Sequence, residues 1–321
     1  MLTYKFTVKS LGRITQLLDS QKIFGAIVYL LSNNLEEKKV DQFIEEISNN
    51  ERMFMVSNLL PDGYLPTPHR DIKDGNKTDY RALKNKKFVP VEQIEKPIRE
   101  IKEFIEIEEK QDAKYQISDE FFEIPGLKND LFSIPTIRVL KKKVLKKVLE
   151  VVEEVTEFNF YLAFDREDEI ILKLLDLLKQ LEYDREVFLY GQKASQGYNM
   201  YEIKKSERIT DLQWENPPCF LNLGMFLPNN KNQIIDYASS RLKLFTSERR
   251  PYQMGVGYYG EFKRKDNFIS FIEVGSTIKL RSDEDKDKLR HVGKSVSSPY
   301  DNKRIIFGQS FLYPLKEDPK L

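Results

Sequence analysis

The most specific chemical pattern in this 321-residue sequence is a glycine-rich segment, residues 191–198. Because glycine has no Cβ, the main chain of such a loop can closely approach a sugar–phosphate backbone, and the side chains between the two glycines add hydrogen-bond donors. A plain surface turn that needs glycines fits the same spacing, so both interpretations stay open. The candidate RNA contacts of this glycine loop are Gly191, Lys193, Ser195, Gln196, Gly197 and Tyr198.

Basic residues gather in a second segment, residues 131–149, which contains no acidic side chain. The whole chain is nearly neutral, with 52 Lys and Arg against 51 Asp and Glu. Any nucleic-acid binding must therefore come from local patches of this kind. The apolar residues of the segment also follow helical spacing, which would make the lysines the solvated face of an amphipathic helix. The candidate RNA contacts here are Arg138, Lys141, Lys142 and Lys143.

A smaller basic and aromatic cluster lies at residues 249–252, with the sequence Arg249-Arg250-Pro-Tyr252. Guanidinium groups and aromatic rings can pair with or stack on RNA. An ordinary surface loop of the same composition is the alternative. Arg249 and Arg250 complete the candidates that residue type alone provides.

No arrangement typical of an enzyme occurs in the sequence. It has no phosphate-binding Gly-x-x-x-x-Gly-Lys-Ser/Thr loop, no serine nucleophile elbow and no His-Glu-x-x-His pair. One cysteine, Cys219, and two histidines, His69 and His291, do not make up a zinc set or an internal disulfide. We therefore predict no catalytic residue, no metal and no other cofactor, although an isolated histidine could still contact RNA.

The sequence also predicts a cytoplasmic protein with no membrane partner. A lone cysteine indicates a reducing compartment. The first eight residues alternate like a strand and lack the apolar region of a signal peptide. The longest apolar run, Ile23 to Leu31, is too short to span a bilayer.

The elements that must position these residues follow a regular order over residues 1–207. Alternating apolar residues predict strands, and apolar spacings of three and four predict helices that Asp19 or Ser20, and later Asp165 or Asp168, would cap. The order is strand, helix, strand, insertion, strand, helix, strand, which is that of ferredoxin-like and RNA-recognition-motif domains. The predicted strands lie at residues 2–8, 53–59, 158–164, 187–190 and 198–203.

A charged insertion, residues 64–157, interrupts this first unit. It contains six prolines and an acid-rich stretch at residues 92–112 that we predict to be helical. A polar linker at residues 207–218 ends in Pro217-Pro218 and marks a boundary, so the predicted domains are 1–207 and 208–321.

The second unit begins the same order again. We predict strands at 220–227 and 241–245, a short helix at 231–239, a hairpin of 257–263 with 268–274, and a closing strand at 304–313. The predicted fold class is α+β, with two tandem ferredoxin-like (RRM-like) domains and a charged insertion in the first.

Motifs spread over about 280 residues resemble the RAMP superfamily of CRISPR proteins, and within it the fourth Csm subunit of type III-A effector complexes. The segment Asp19-Ser-Gln-Lys-Ile-Phe-Gly25 is similar to that family's helix start, and Met55 to Pro61 with Leu65 to Pro68 is similar to its serine and proline motifs. The glycine loop, the strand at 221–228 and Val274-Gly-Ser276 match in order. Two departures are Asn199, where the family usually has glycine, and Val274, where it usually has an acid.

This resemblance implies a non-catalytic subunit that holds the 5′ repeat-derived tag of the CRISPR RNA (crRNA), with target RNA nearby. Its partners would be the large polymerase-type subunit and the repeated backbone subunit. The glycine loop would line the tag. Ser20 and Lys22 would offer helix-start N–H groups to a phosphate. The region near residues 134–147 matches a thumb-like hairpin in the family, although its helical spacing favours a helix.

An enzymatic alternative stays open within the same superfamily. RAMP endoribonucleases that process precursor CRISPR RNA share the fold and the glycine loop, and often use a histidine as general base near the first helix. No histidine lies in the first predicted helix of this chain, which favours the non-catalytic interpretation.

Overall fold

The computed structural model describes residues 1–69, 86–111, 135–145, 148–191, 194–212, 214, 217–229, 234–248, 268–281, 289, 292–298 and 304–319. These residues form an α+β fold with three helices: α1 (Ser20–Ser32), α2 (Glu37–Ser48) and α3 (Glu169–Asp184). The strands of the first half are β1 (Leu2–Ser10), β2 (Phe54–Val56), β3 (Leu60–Pro61), β4 (Tyr64–Pro66), β5 (Phe88–Pro90), β6 (Glu103–Gln111), β7 (Pro135–Leu145), β8 (Val148–Glu154), β9 (Glu157–Phe164), β10 (Val187–Tyr190) and β11 (Met200–Ile209). Those of the second half are β12 (Cys219–Asn222), β13 (Leu244–Glu248), β14 (Phe268–Ile272), β15 (Thr277–Ile278), β16 (Val296–Ser297), β17 (Ile305–Ile306) and β18 (Leu312–Leu315).

The first sheet has the strand order β10, β11, β1, β9, β2, and β3 also pairs with β9. All neighbours are antiparallel. Phe6 of β1 lies opposite Phe160 of β9, and their rings stack with centroids 5.0 Å apart. Successive side chains of a strand point to opposite faces, so Phe6 and Phe160 lie on the same face of this sheet. The strands predicted for residues 1–207 are confirmed as elements, with ends that differ by a few residues.

Helices α1 and α3 cover this face through the apolar stripes visible in the sequence. The fully buried stripe residues are Ile23, Ile27, Leu31, Leu174 and Leu178. Asp19 caps α1 by accepting the Lys22 N–H at 3.0 Å, and Asp168 caps α3 by accepting the Ile171 N–H at 3.3 Å. Such caps satisfy N–H groups that have no partner inside the helix. Both capping predictions are confirmed.

The second half of the chain joins the first at strand β2. Val56 donates its N–H to the Gln309 carbonyl at 3.1 Å, and its own carbonyl accepts the Phe311 N–H at 3.1 Å. A Cβ on Gly224 would lie 2.7 Å from the Val56 carbonyl oxygen. The main apolar core accordingly contains residues from both halves, including Cys219 and Phe311. The two predicted domains therefore share a core across residue 207.

The charged insertion forms a five-stranded antiparallel sheet with the order β4, β5, β6, β7, β8. The helix predicted at 92–112 is wrong in the described residues, where the chain has a 3₁₀ turn at Val91–Gln93 followed by β6. Near residues 134–147, where a hairpin and an amphipathic helix both stayed open, β7 and β8 pair as a hairpin. β-Branched valine and isoleucine fit a pleated strand well. The lysines of β7 also find glutamates on both neighbouring strands, which a solitary helix would not provide.

In the second half, β12 lies between β15 and β18, and β13 pairs with β14. The helix predicted at 231–239 is wrong for residues 234–239. Ile235 there forms an antiparallel bridge with Leu280, and the Asp236 carboxylate accepts the Ala238 N–H at 3.1 Å. That side-chain bond builds a turn instead of a helix. The predicted hairpin strand 257–263 lies outside the described residues.

Among the described residues, no helix is both long enough and apolar enough to cross a lipid bilayer.

Candidate nucleic-acid interface

The glycine loop connects β10 to β11 and is closed by main-chain hydrogen bonds. Gly191 donates its N–H to the Asn199 carbonyl at 2.8 Å, and Gly197 donates to the Ala194 carbonyl at 2.9 Å across a 3₁₀ turn. Gly197 has φ +83°, a conformation that favours glycine. Ser195, Gln196 and Gly197 are exposed, and Tyr198 is half-buried. The turn therefore presents main-chain groups and short polar side chains to the outside.

Asn199 fixes this loop to the segment that follows β1, residues 11–18. Its side chain is fully buried. Its Oδ1 accepts the Thr15 N–H at 2.8 Å, its Nδ2 donates to the Thr15 hydroxyl at 2.7 Å, and its main-chain N–H donates to the Arg13 carbonyl at 3.0 Å. Its φ is 51°, in the left-handed region that asparagine tolerates better than most residues. The position therefore keeps the backbone conformation that a glycine would adopt and adds two side-chain bonds.

Gly12 is a third glycine of the same interface, and sequence reasoning missed it. A Cβ at this position would lie 2.2 Å from the Gly197 carbonyl oxygen, so any side chain would separate the two segments. Arg13 next to it forms a parallel bridge with Tyr198. The signal in the sequence was a Gly-Arg pair directly after the first strand, which becomes informative once the two loops are known to meet.

The β7–β8 hairpin closes the third side of the interface. Ile137 donates its N–H to the Ile14 carbonyl at 2.7 Å, which joins the hairpin to the 11–18 segment. Between them lies a cleft of 340 Å³, lined by Ser10 and by residues 12–14, 136–139 and 154–156. Arg138 and Glu154 line this cleft and pair at 3.0 Å, with both side chains about half exposed. The glycine loop, the 11–18 segment and the hairpin therefore form one continuous surface.

The lysines predicted as a free basic patch are largely neutralised. Lys142 is buried and contacts Glu106 at 2.8 Å and Glu108 at 2.5 Å. Burial alone would lower its pKa, but the two carboxylates hold the pKa above its ordinary value. Lys141 lies between Glu103 at 3.4 Å and Glu153 at 3.5 Å. Lys143 is the exposed member of this row. The neighbouring strands place glutamates from other parts of the sequence beside Lys141 and Lys142, so these two lysines stabilise the hairpin through ion pairs.

At the helix start predicted to bind a phosphate, the main-chain N–H groups already donate to side chains of the protein. Ser20 is fully buried, its N–H donates to the Asn58 side chain at 2.8 Å, and its hydroxyl accepts the Met225 N–H at 2.9 Å. The Lys22 N–H is used by Asp19, whose carboxylate also lies 3.6 Å from the Lys22 ammonium. A phosphate would have to displace these hydrogen bonds and approach the Asp19 carboxylate. We therefore assign Ser20 and Lys22 a structural role.

The remaining predicted contacts are distributed differently. Lys193, Arg249, Arg250 and His291 lie outside the described residues. His69 donates its main-chain N–H to the Gly275 carbonyl at 2.7 Å. Burial lowers the pKa of its imidazole, and Glu273 opposes this shift. No group of three or more His, Cys, Asp or Glu suited to a metal ion occurs in the described part of the chain.

Solved structures of similar fold exist. One is a chain of the "Csm3-Csm4 subcomplex in the type III-A CRISPR-Cas interference complex", with 17% identity and a TM-score of 0.52 over 98% of this chain and 99% of that one. Another is a chain of the "Csm1-Csm4 cassette in complex with cA4", with 14% identity and a TM-score of 0.50 over 99% of both chains. No protein-family model and no curated protein matches the sequence.

Proposed function

We propose that this chain is a non-catalytic, crRNA-binding subunit of a cytoplasmic type III-A CRISPR interference complex, corresponding to the fourth Csm subunit. Csm4 is the component that the two similar complexes have in common. The ordered motifs of the sequence point to the same family independently of the fold. The strand order β11, β1, β9, β2 with α1 and α3 on one face supports a ferredoxin-like first domain, and we extend that assignment to the second.

The observation that carries the RNA assignment is the seating of the glycine loop on the 11–18 segment. Asn199 and Gly12 hold two loops in contact at a distance that no side chain could enter. The resulting surface has exposed main-chain groups at 195–197 and a polar cleft beside it. Main-chain and short polar groups are suited to a sugar–phosphate backbone irrespective of base sequence. We assign this surface to the 5′ tag of the guide RNA, with target RNA nearby at the hairpin.

The proposed protein partners are the large polymerase-type subunit and the backbone subunit of the complex. In the similar structures, Csm4 occurs with Csm1 in one case and with Csm3 in the other. A chain that binds both would bridge them while it holds the RNA end.

A charge-insertion experiment tests the RNA assignment. Ser195→Glu with Gln196→Glu places two negative charges on the exposed turn, which would repel phosphates. We expect at least about a tenfold loss of guide RNA retained in the purified complex. Lys38→Glu on exposed helix α2 changes the net charge by the same amount and is the matched control. Equal RNA retention in both variants would exclude the glycine loop as the RNA contact.

Incubation of the purified chain with repeat RNA in the absence of metal tests the non-catalytic proposal. We expect the RNA to stay intact. Site-specific cleavage that is lost in His69→Ala would favour the alternative, a RAMP endoribonuclease that processes precursor CRISPR RNA.

A further inference from the structure

The end of the first sheet that leads into the glycine loop carries three adjoining apolar side chains, Leu11, Met200 and Tyr190, which we name the apolar row. Tyr190 of β10 lies opposite Met200 of β11, and Leu11 extends β1 by donating its N–H to the Met200 carbonyl at 2.9 Å. Opposed residues of antiparallel strands point to the same face of a sheet. The preceding pair, Leu189 and Tyr201, is buried, so alternation places the apolar row on the opposite face.

The apolar row is accessible to solvent. Tyr190 is 61% exposed and Leu11 is 44% exposed, and Met200 between them is half-buried. Single exposed apolar residues are ordinary on a protein surface, whereas adjoining ones with polar neighbours indicate contact with a ligand. The aromatic ring of Tyr190 is the largest group that this row offers.

Each member of the apolar row adjoins the surface that we assign to the guide RNA. Tyr190 directly precedes the glycine loop, Met200 directly follows Asn199, and Leu11 directly precedes Gly12. One residue of strand covers about 3.3 Å, so the apolar row lies at the base of the two loops that meet. A nucleotide whose phosphate contacts the turn therefore has its base close to the ring of Tyr190.

Charged residues limit the size of the apolar surface. The next position on this face of β11 is Glu202, which lies opposite Lys9 of β1, and Lys9 lies opposite Glu157 of β9. Glu202 also contacts the Lys204 ammonium at 2.6 Å. The apolar surface is thus one residue deep and three strands wide, about 10 Å. That area suits one planar base, whereas a stable protein interface covers about 800 Å² on each partner.

From the exposed aromatic ring, its place beside the glycine loop and the small apolar area, we infer that the apolar row stacks on one unpaired base of the 5′ tag, with Tyr190 as the platform. The inference rests on the proposed function and deepens it, because the turn contacts the RNA backbone and the apolar row holds a base. Every base has a π-face, so such a platform adds affinity without selecting a sequence. A protein segment is disfavoured because it would bury Lys9, Glu202 and Glu157 beside the row.

Guide RNAs that carry a fluorescent base test this inference in the assembled complex. The probe is 2-aminopurine, a purine analogue that stacking quenches, placed at one tag nucleotide at a time. We expect quenching at one position, and we expect Tyr190→Ala to shift that base at least about fivefold toward its unstacked, fluorescent state. Tyr190→Phe keeps the ring and should keep the quenching. The matched control is Tyr183→Ala, which removes a tyrosine that is 88% exposed at the end of α3 and should change nothing.

Three results would overturn the inference and leave the proposed function intact. In the first, Tyr190→Ala changes the fluorescence at no tag position, although the complex keeps its guide RNA. In the second, Tyr190→Phe loses as much quenching as Tyr190→Ala, which would assign the contact to the hydroxyl instead of the ring. In the third, Tyr190→Ala loses a protein subunit while the fluorescence stays unchanged, which would assign the apolar row to a protein contact.

Failure of the proposed function is distinguishable from these results. If Ser195→Glu with Gln196→Glu retains as much guide RNA as its control, the glycine loop does not hold the tag and the inference falls with it. Thermal unfolding of the Tyr190→Ala chain should match that of the unmodified chain, because the side chain is mostly exposed.

Discussion

The glycine loop and the β7–β8 hairpin both contact the 11–18 segment but are held by different forces. The loop is fixed by a buried amide, main-chain bonds and a contact between two glycines. The hairpin is held by ion pairs that are partly exposed to water. Buried neutral hydrogen bonds are insensitive to salt, whereas exposed ion pairs are screened by it. We conclude that the stability of the loop depends little on salt, whereas the stability of the hairpin depends on it.

Replacing Asn199 by alanine should produce the largest effect on the loop. The change leaves the Thr15 N–H without its buried acceptor and places alanine, which tolerates the left-handed region less well than asparagine, at φ 51°. We expect a loss of about 3 kcal/mol in the free energy of unfolding, from the unpaired group and the backbone strain together. Chemical denaturation measures it. Asn199→Gly relieves the strain and should lose less, and equal losses would show that the left-handed conformation contributes nothing.

Gly12→Ala should produce the next largest loss in the free energy of unfolding. Its Cβ would come within 2.2 Å of the Gly197 carbonyl oxygen, so one loop must move, at about 2 kcal/mol. Gly25→Ala is the matched control, because nothing lies within 4 Å of a Cβ at this helical position and alanine favours helix. We expect that control to be neutral or stabilising in thermal unfolding. Two equal destabilisations would contradict the close contact.

Lys142→Ala tests the hairpin, with a smaller expected effect. Removing the ammonium leaves Glu106 and Glu108 close together without their shared partner. We expect a loss of about 1 to 2 kcal/mol, reduced at high salt as the repulsion between the two glutamates is screened. The loss for Asn199→Ala should not change with salt. A stability loss that depends on salt for Asn199→Ala and not for Lys142→Ala would contradict the comparison.

Acid should weaken the hairpin by a smaller amount still. The Tyr64 hydroxyl first, and Lys141 next, hold the pKa of Glu103 below its ordinary value, although burial opposes them. A carboxyl whose pKa is lowered in the folded state stabilises it above the unfolded pKa, and this stabilisation is lost as pH falls through the folded value. We therefore expect hairpin stability to fall below about pH 4.5, with a shallower fall in Glu103→Gln. Amide hydrogen exchange at residues 137–144 as a function of pH measures the stability of the hairpin.

The sequence was sufficient for the strands and helices of the first sheet, but not for the elements of the insertion or for the contacts between distant segments. Asp19 and Asp168 were recognisable as caps because a cap depends on residues three positions away. The helical spacing around Lys141 and Lys142 was misleading because the glutamates that pair with these lysines come from other strands. Asn199 stands where the resemblance predicts a glycine. The explanation is a left-handed backbone whose side chain bonds to Thr15, 184 positions away, and the sequence does not show that contact.

The most direct test of the central claim is a photo-crosslink from the first nucleotides of the guide RNA in the assembled complex, mapped by mass spectrometry. A loop that holds the 5′ tag predicts crosslinks to residues 194–198 and to Arg13, which lie on the same surface. These crosslinks should persist at high salt, since main-chain contacts dominate. Crosslinks confined to the hairpin or to the second half, with none in the glycine loop, would contradict the account.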